Sequence, residues 1–222
     1  GDEIIAPGAP LPAAGVYDAN RFMLAAMLRR QGLLVTDLGI LADNRAEIAA
    51  ALAAAAATHE LVVTSGGVSL GEEDHVKAAL CSQGSLVFWR LAIKPGRPVA
   101  MGILDGTAFV GLPGNPAAAF VSFLHVLRPL IAALNGANLA PPRMVDVAAG
   151  FAHVKKAGRR EYVRVTLKKD AQGRMSAEKY AVDGSGILTS LTRTHGLVEL
   201  GEDVTRVAPG DKVGFLDYDL VR

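Results

Sequence analysis

Hydrophobic positions at helical spacing mark the first regular segment, where Phe22, Leu24, Met27 and Leu28 share one face of residues 19 to 31. Asp18 is a candidate N-cap for that helix, and Gly32 is placed to end it. Leu33-Leu34-Val35-Thr36 then reads as a short buried strand. Arg45 to Thr58 is predicted as a second helix and Glu60 to Thr64 as a second strand, followed by a glycine-rich turn and a helix from Asp74 to Leu80. Leu86 to Ile93, Val99 to Leu104 and Ala108 to Gly111 read as strands, with Phe88 and Trp89 as core candidates. Asp105-Gly106 is a hairpin turn between the last two strands. Ala117 to Leu134 is a long apolar helix, buried on most sides. Strands alternating with helices predict an α/β fold, a three-layer αβα arrangement around a mostly parallel sheet. Ligands in such sheets bind beyond the carboxyl ends of the strands, here in the loops after Thr64, Ile93 and Gly111.

The pattern changes at Gly136 to Pro142, a stretch of small residues ending in two prolines. Beyond it no helix is predicted. Alternating runs appear instead, at Val145–Phe151, Glu161–Lys168, Met175–Val182, Gly196–Leu200 and Lys212–Leu216. Turn residues at Asp170-Ala171-Gln172-Gly173 and Pro209-Gly210-Asp211 separate them, so residues 141–222 are expected to form a small all-β domain, barrel or sandwich, after an α/β domain spanning 1–138.

Composition narrows the classes. The 222 residues are 50% hydrophobic and 20% charged, which fits packed cores rather than disorder. A net charge of +1 argues against a polyanion-binding surface, and no nucleic-acid motif is present. The local basic cluster Lys155, Lys156, Arg159 and Arg160 reads as solvated surface. Cys81 is the only cysteine, which excludes an internal disulfide and fits a reducing cytoplasm. No signal peptide is evident and no run is read as reaching transmembrane length, so a soluble, cytoplasmic protein is expected.

Three loops could carry chemistry. Thr64-Ser65-Gly66-Gly67-Val68-Ser69-Leu70-Gly71 places three glycines and three hydroxyls in eight residues between a strand and a helix. Glycines let the backbone approach an anion, and a helix N-terminus favours negative charge. Glu72 and Glu73 complement the dipole of the following helix. Asp74 lies beside the same anion site, where a bound Mg²⁺ would reconcile carboxylate with phosphate. Lys94-Pro95-Gly96-Arg97-Pro98 has a backbone stiffened by proline and projects two cations suited to an oxyanion. In Gly111-Leu112-Pro113-Gly114-Asn115-Pro116, Asn115 is a candidate N-cap and Pro116 falls at the first turn of the long helix. Three such loops at one end of a sheet indicate one anion site. The histidines (59, 75, 125, 153 and 195) have no ligand spacing; each reads as structural or exposed, and His125 as a hydrogen-bonded core residue.

Four ordered motifs, Gly1-Asp2-Glu3, Thr64 to Gly71 with Asp74 and Lys77, Lys94 to Pro98, and Gly111 to Pro116, resemble the signature loops of the MoeA family of molybdenum insertases, which includes the E domain of gephyrin. The resemblance covers nearly the whole chain. It implies a molybdopterin-binding domain with a MogA-like fold, followed by a C-terminal β-barrel domain. The implied activity is that of a transferase that inserts molybdate into adenylylated molybdopterin with release of AMP, in a Mg²⁺-dependent reaction. On the matching positions, Gly66, Gly67, Ser69 and Gly71, with Thr64 and Ser65, would hold the pterin phosphate region. Asp74 would be the functional carboxylate near the metal, and Glu3 and Asp43 match acidic positions of the family. Lys94 and Arg97 would bind molybdate beside Pro113, Gly114, Asn115 and Pro116, with Arg159 and Ser185 approaching from the barrel. Arg97 stands where the family commonly has lysine, and Ala118 where it commonly has serine. The family pattern also implies a first strand upstream of Gly1, a homodimer whose partner closes the site, and a molybdopterin adenylyltransferase as upstream partner. Rival readings are a MogA-type adenylyltransferase, a CinA-like nucleotide-processing enzyme and a gephyrin-like scaffold module.

Overall fold

The first helix, α1 (Asn20–Arg30), starts where Asp18 can satisfy an open backbone donor and ends at a glycine. Asp18 accepts the Arg21 N–H at 3.1 Å and Arg21 Nε at 2.7 Å, one residue ahead of the formal cap, Ala19. Gly32 adopts φ +82° and donates to the Arg29 carbonyl at 2.9 Å. The structure is a computed structural model that describes residues 1–67, 76, 84–171 and 173–220, with backbone alone for 86–89 and 220. The side chains of Phe88 and Trp89 and most of the helix expected from Asp74 to Leu80 therefore lie outside the described residues. The chain forms two compact units, Gly1–Leu91 with Gly96–Phe123, and Ala92–Pro95 with Leu124–Arg222.

In the first unit, β1 (Ile4–Ile5) and β2 (Val16–Tyr17) pair in parallel. Helix α2 (Arg45–Ala56) is capped by the Asn44 side chain, which accepts the N–H groups of Ala46 and Glu47. Strand β3 (Leu61–Ser65) precedes β4 (Gly84–Arg90). The two-residue β5 (Ile93–Lys94) pairs within the second unit, and β6 (Pro98–Leu104) and β7 (Thr107–Leu112) return to the first. The sheet order is β3-β7-β6-β4. It is mixed: β3 and β7 run parallel, and β6 is antiparallel to both β7 and β4. The Asp105-Gly106 turn takes φ +47° and +86°, and so short a turn can join only antiparallel strands. Ile48, Leu52, Ala55 and Ala56 of α2 pack with Val62, Val76, Ala100, Leu104 and Phe109 to form the core.

Leu33-Leu34-Val35-Thr36, expected as a buried strand, is irregular, and Leu34 is fully exposed. Apolar side chains do not make a strand without a ladder partner, and no described residue pairs with this segment. The long helix expected from Ala117 is also broken. Helix α3 (Pro116–Ser122) passes through a π-helical turn, Phe123–Leu127, into α4 (Arg128–Leu134). Pro129 lacks the N–H that would bond back to His125, and in a regular α-helix its ring would clash with that carbonyl, so the turn widens. The run Pro116–Leu134, with mean hydropathy 1.8, is long and apolar enough to cross a membrane by length and composition, contrary to expectation. Burial of 56% of it inside the protein is the behaviour of a core helix.

The second unit is a closed barrel of β8 (Val145–Ala149), β10 (Arg160–Lys169), β11 (Met175–Lys179), β12 (Gly196–Leu200) and β14 (Lys212–Asp217). Strand β10 closes it by pairing with both β12 and β11, and its first residues also pair with β5. Strands β9 (His153–Val154) and β13 (Arg206–Val207) form a separate ribbon. Two short helices interrupt the expected all-β pattern, α5 (Thr189–Thr192) and a 3-10 turn at Tyr218–Leu220. Neither is long enough to show helical periodicity in the sequence. Val147, Val163, Val165, Ala177, Val198, Leu200 and Phe215 belong to the barrel core.

Candidate functional site

The first and third loops meet in the α/β unit. Thr64 and Ser65 end β3 opposite Gly111 and Leu112 of β7, and the Gly66 N–H extends that ladder to the Leu112 carbonyl at 2.9 Å. Gly66 (φ +89°) and Gly67 (φ +66°) then turn the chain through a conformation that glycine adopts without strain. A Cβ on Gly114 would sit 3.7 Å from Gly66 Cα, so the two loops touch at their glycines. Pro113 is buried, while Gly114 and Asn115 are exposed. Asn115 precedes α3 but makes no side-chain cap; its carbonyl accepts the Ala119 N–H at 2.8 Å.

Asn20, which sequence reasoning missed, ties these loops together. Its Nδ2 donates to Ser65 Oγ at 2.8 Å and to the Gly114 carbonyl at 2.7 Å, and Ser65 Oγ donates to the Pro113 carbonyl at 3.3 Å. Asn20 Oδ1 and Thr64 Oγ1 are buried without a hydrogen-bond partner among the described residues. Buried polar atoms are rarely left unpaired, so these two mark acceptor and donor capacity available to a ligand. An asparagine two residues after a capping aspartate was the sequence signal available.

Elsewhere in this unit, Gly1-Asp2-Glu3 lies against residues 41–43. Asp2 and Asp43 exchange backbone-to-carboxylate hydrogen bonds of 3.1 and 2.9 Å, with Glu3 adjacent and exposed. Arg97 is exposed, and its carbonyl accepts the Leu91 N–H at 2.9 Å. Ser69, Gly71 and Asp74 lie outside the described residues.

The barrel unit holds a second group. Lys94 in β5 is directly opposite Glu161 in β10, and Lys94 Nζ lies 3.3 Å from Glu161 Oε2. Arg159 reaches Glu161 Oε1 through Nε at 3.0 Å and Nη2 at 2.8 Å, and His153 Nε2 lies 3.1 Å from Oε2. Burial opposes the charge on Glu161, but hydrogen bonds from His153, Lys94 and Arg159 and the Lys94 charge outweigh it and hold the carboxyl below its ordinary pKa. Ser185 is half-buried in the irregular segment after Asp183. A hydrogen bond from Lys179, followed by its charge and those of Lys94 and His153, lowers the Asp183 pKa.

Of the two cations in this loop, Lys94 belongs to the barrel unit and Arg97 to the α/β unit. The reason is local pairing: β5 hydrogen-bonds to β10, and β6 begins immediately after Arg97. The basic cluster expected as solvated surface is also corrected. Lys155 is buried, donating to the carbonyls of Gly201 at 2.8 Å and Val204 at 2.6 Å, and Arg160 pairs with Glu199 and Glu202. His125, expected as a hydrogen-bonded core residue, instead stacks on Tyr162 with ring centroids 4.3 Å apart. Its Nε2 has no hydrogen-bond partner among the described residues. Burial and the nearby Arg160 charge push its pKa down to about 4.

An α/β unit with paired glycine loops, followed by a five-stranded barrel carrying a cation cluster, defines the class. Residues 1–133 match the family described as a probable molybdopterin binding domain, and residues 147–218 match the MoeA C-terminal region, domain IV. The chain belongs to this molybdopterin-binding family. It is 38% identical over 216 residues to a molybdopterin molybdenumtransferase of Haemophilus influenzae, covering 96% of this chain and 53% of that protein. It is 33% identical over 225 residues to molybdopterin molybdenumtransferase 2 of Mycobacterium tuberculosis, covering 98% and 54%. A solved molybdopterin biosynthesis MoeA protein from Pyrococcus horikosii superposes with a TM-score of 0.81 at 25% identity, covering 97% of this chain and 52% of that one. The chain spans about half the length of the curated relatives it matches.

Proposed function

We propose that the chain supplies the molybdopterin-handling and barrel portions of a molybdopterin molybdenumtransferase of molybdenum cofactor biosynthesis. The observation that carries the reading is the meeting of Ser65-Gly66-Gly67 with Gly114 at the carboxyl end of the parallel pair β3–β7, joined by Asn20. In this reading Thr64, Ser65, Gly66, Gly67, Ser69 and Gly71 hold the phosphate of adenylylated molybdopterin through backbone N–H and hydroxyl donors. Lys94, Arg97, Arg159 and Ser185 receive molybdate, with Pro113, Gly114, Asn115 and Pro116 shaping its pocket. Glu3, Asp43 and Asp74 are the acidic groups of the reaction, and AMP leaves as molybdate enters.

Mg²⁺ belongs to the same reading, in which Asp74 would hold it; among the described residues no group of three or more metal-ligating side chains gathers. When bound, the ion would neutralise phosphate charge at that carboxylate. A cytoplasmic homodimer fed by a molybdopterin adenylyltransferase completes the proposal.

Calorimetry of the full polypeptide with adenylylated molybdopterin and with molybdate, on wild type and Asp74→Ala, tests it. Wild type is expected to bind both ligands, and Asp74→Ala to lose AMP release while retaining molybdate. Absence of binding of either ligand by wild type overturns the reading.

A further inference from the structure

We propose that Glu161 is a positioning residue that gathers Lys94 and Arg159 into one oxyanion-receiving set, and that His153 braces its carboxylate. The proposal rests on the reading of Lys94 and Arg159 as molybdate ligands.

Glu161 occupies a position where the barrel pattern calls for an apolar residue. It alternates along β10 with Val163 and Val165 of the core, faces Leu200 across the ladder, and is only 3% exposed. Glutamate is rarely buried so completely unless paired, and replacing a buried ionic group by an apolar side chain is often neutral or stabilising. Folding stability alone therefore does not explain a carboxylate here. Its use lies in what it collects. Oε1 takes both Arg159 contacts, and Oε2 takes Lys94 and His153, so four donors occupy its acceptor capacity.

The donors arrive from three separate places, Lys94 on β5, His153 on β9 and Arg159 just ahead of β10. Nothing else among the described residues hydrogen-bonds Lys94 Nζ or the Arg159 guanidinium, and these side chains are 53% and 35% exposed. The lysine ammonium and the guanidinium each keep N–H groups free of Glu161. His153, 12% exposed, donates through Nε2, because an ionised carboxylate can only accept. Asp183, another acid that feels the Lys94 and His153 charges, is engaged by Lys179 at 2.9 Å. A saturated carboxylate beneath Lys94 and Arg159 leaves their outward N–H groups as the side an oxyanion meets.

The proposal makes a prediction of definite sign. Bare electrostatics says that removing a negative charge next to an anion site tightens anion binding. A positioning role says the reverse, because the donors scatter once their common acceptor is lost. Calorimetry with sodium molybdate on the full polypeptide decides between them. Glu161→Gln, with thermal midpoint and circular dichroism checked, is expected to weaken molybdate about tenfold, and His153→Gln about threefold. In wild type, the His153 imidazole resonance should move on molybdate addition.

Equal or tighter binding by a folded Glu161→Gln overturns the positioning role while leaving Lys94 and Arg159 as ligands. A His153 resonance unmoved at saturating molybdate places the oxyanion away from this set and overturns it. Absence of molybdate binding by wild type removes this inference and the functional reading together. If Glu161→Gln does not fold, unchanged affinity in His153→Gln overturns the set.

Discussion

In the α/β unit the candidate site is built from backbone and neutral side chains, Ser65, Gly66, Gly114 and Asn20. In the barrel unit its counterpart is built from Lys94, His153, Arg159 and Glu161, every one of them ionisable. The first arrangement sets shape through glycine conformations and two hydrogen bonds from one buried amide, so it should be insensitive to pH and salt. The second sets charge, and needs a buried carboxylate to keep its cations together.

The largest expected effect separates the units by acid. His125 has a native pKa pushed down from 6.5 to about 4 by burial and by Arg160. The unfolded chain therefore binds the proton first as pH falls. The stability His125 contributes is fully present above about 6.5 and is lost progressively down to about 4, on the order of 3 kcal/mol in total. Glu161, with a lowered pKa, loses its contribution at still lower pH, below the ordinary glutamate range; Glu199, raised by burial, works in the opposite direction. Unfolding followed against pH should show the barrel unit weakening first, and His125→Phe should flatten that slope. Equal acid sensitivity of the two units would break the comparison.

Lys155→Met is next. It strips a buried ammonium from the carbonyls of Gly201 and Val204, leaving acceptors unpaired at a cost of about 2–3 kcal/mol. Denaturant unfolding monitored in the barrel should register this loss, with the α/β unit unmoved. Asn20→Ala should destabilise the α/β unit by about 1–2 kcal/mol through two lost hydrogen bonds. It should weaken adenylylated molybdopterin more than molybdate, as calorimetry with each ligand would report. The smallest effect is expected for Gly66→Ala. Among the described residues no atom lies within 4 Å of the added Cβ, so the strain of φ +89° remains, about 1 kcal/mol. A thermal shift well beyond that would mean that the loop is packed more tightly than its neighbours indicate.

Much of the local architecture was legible in the sequence because it rests on short-range chemistry. Asp18 and Gly32 bracket α1, Asp105-Gly106 makes the hairpin, and Gly66-Gly67 supplies two successive positive φ values. Gly196–Leu200 emerged as a strand with the limits expected of it. Segments whose fate depends on a distant partner were misread. Leu33 to Thr36 has strand-like side chains but no strand beside it among the described residues; the π turn at His125 was missed for a local reason, the proline at 129 inside an apolar run.

The same division holds for the site. Residue types and spacing by themselves determined that Thr64 to Gly67 and Gly111 to Pro116 form glycine- and proline-shaped loops at strand ends, and that Lys94 and Arg97 are candidate anion ligands, whereas Arg159 entered only through the family resemblance. Only the tertiary structure decided that Asn20 joins two of those loops from 45 and 94 residues away, and that Lys94 and Arg97 belong to different units. Only it could place Glu161 inside a barrel with three donors around it. A side chain's local preference is written in its neighbours along the chain, whereas its burial and its partners are fixed by strand pairing across long separations.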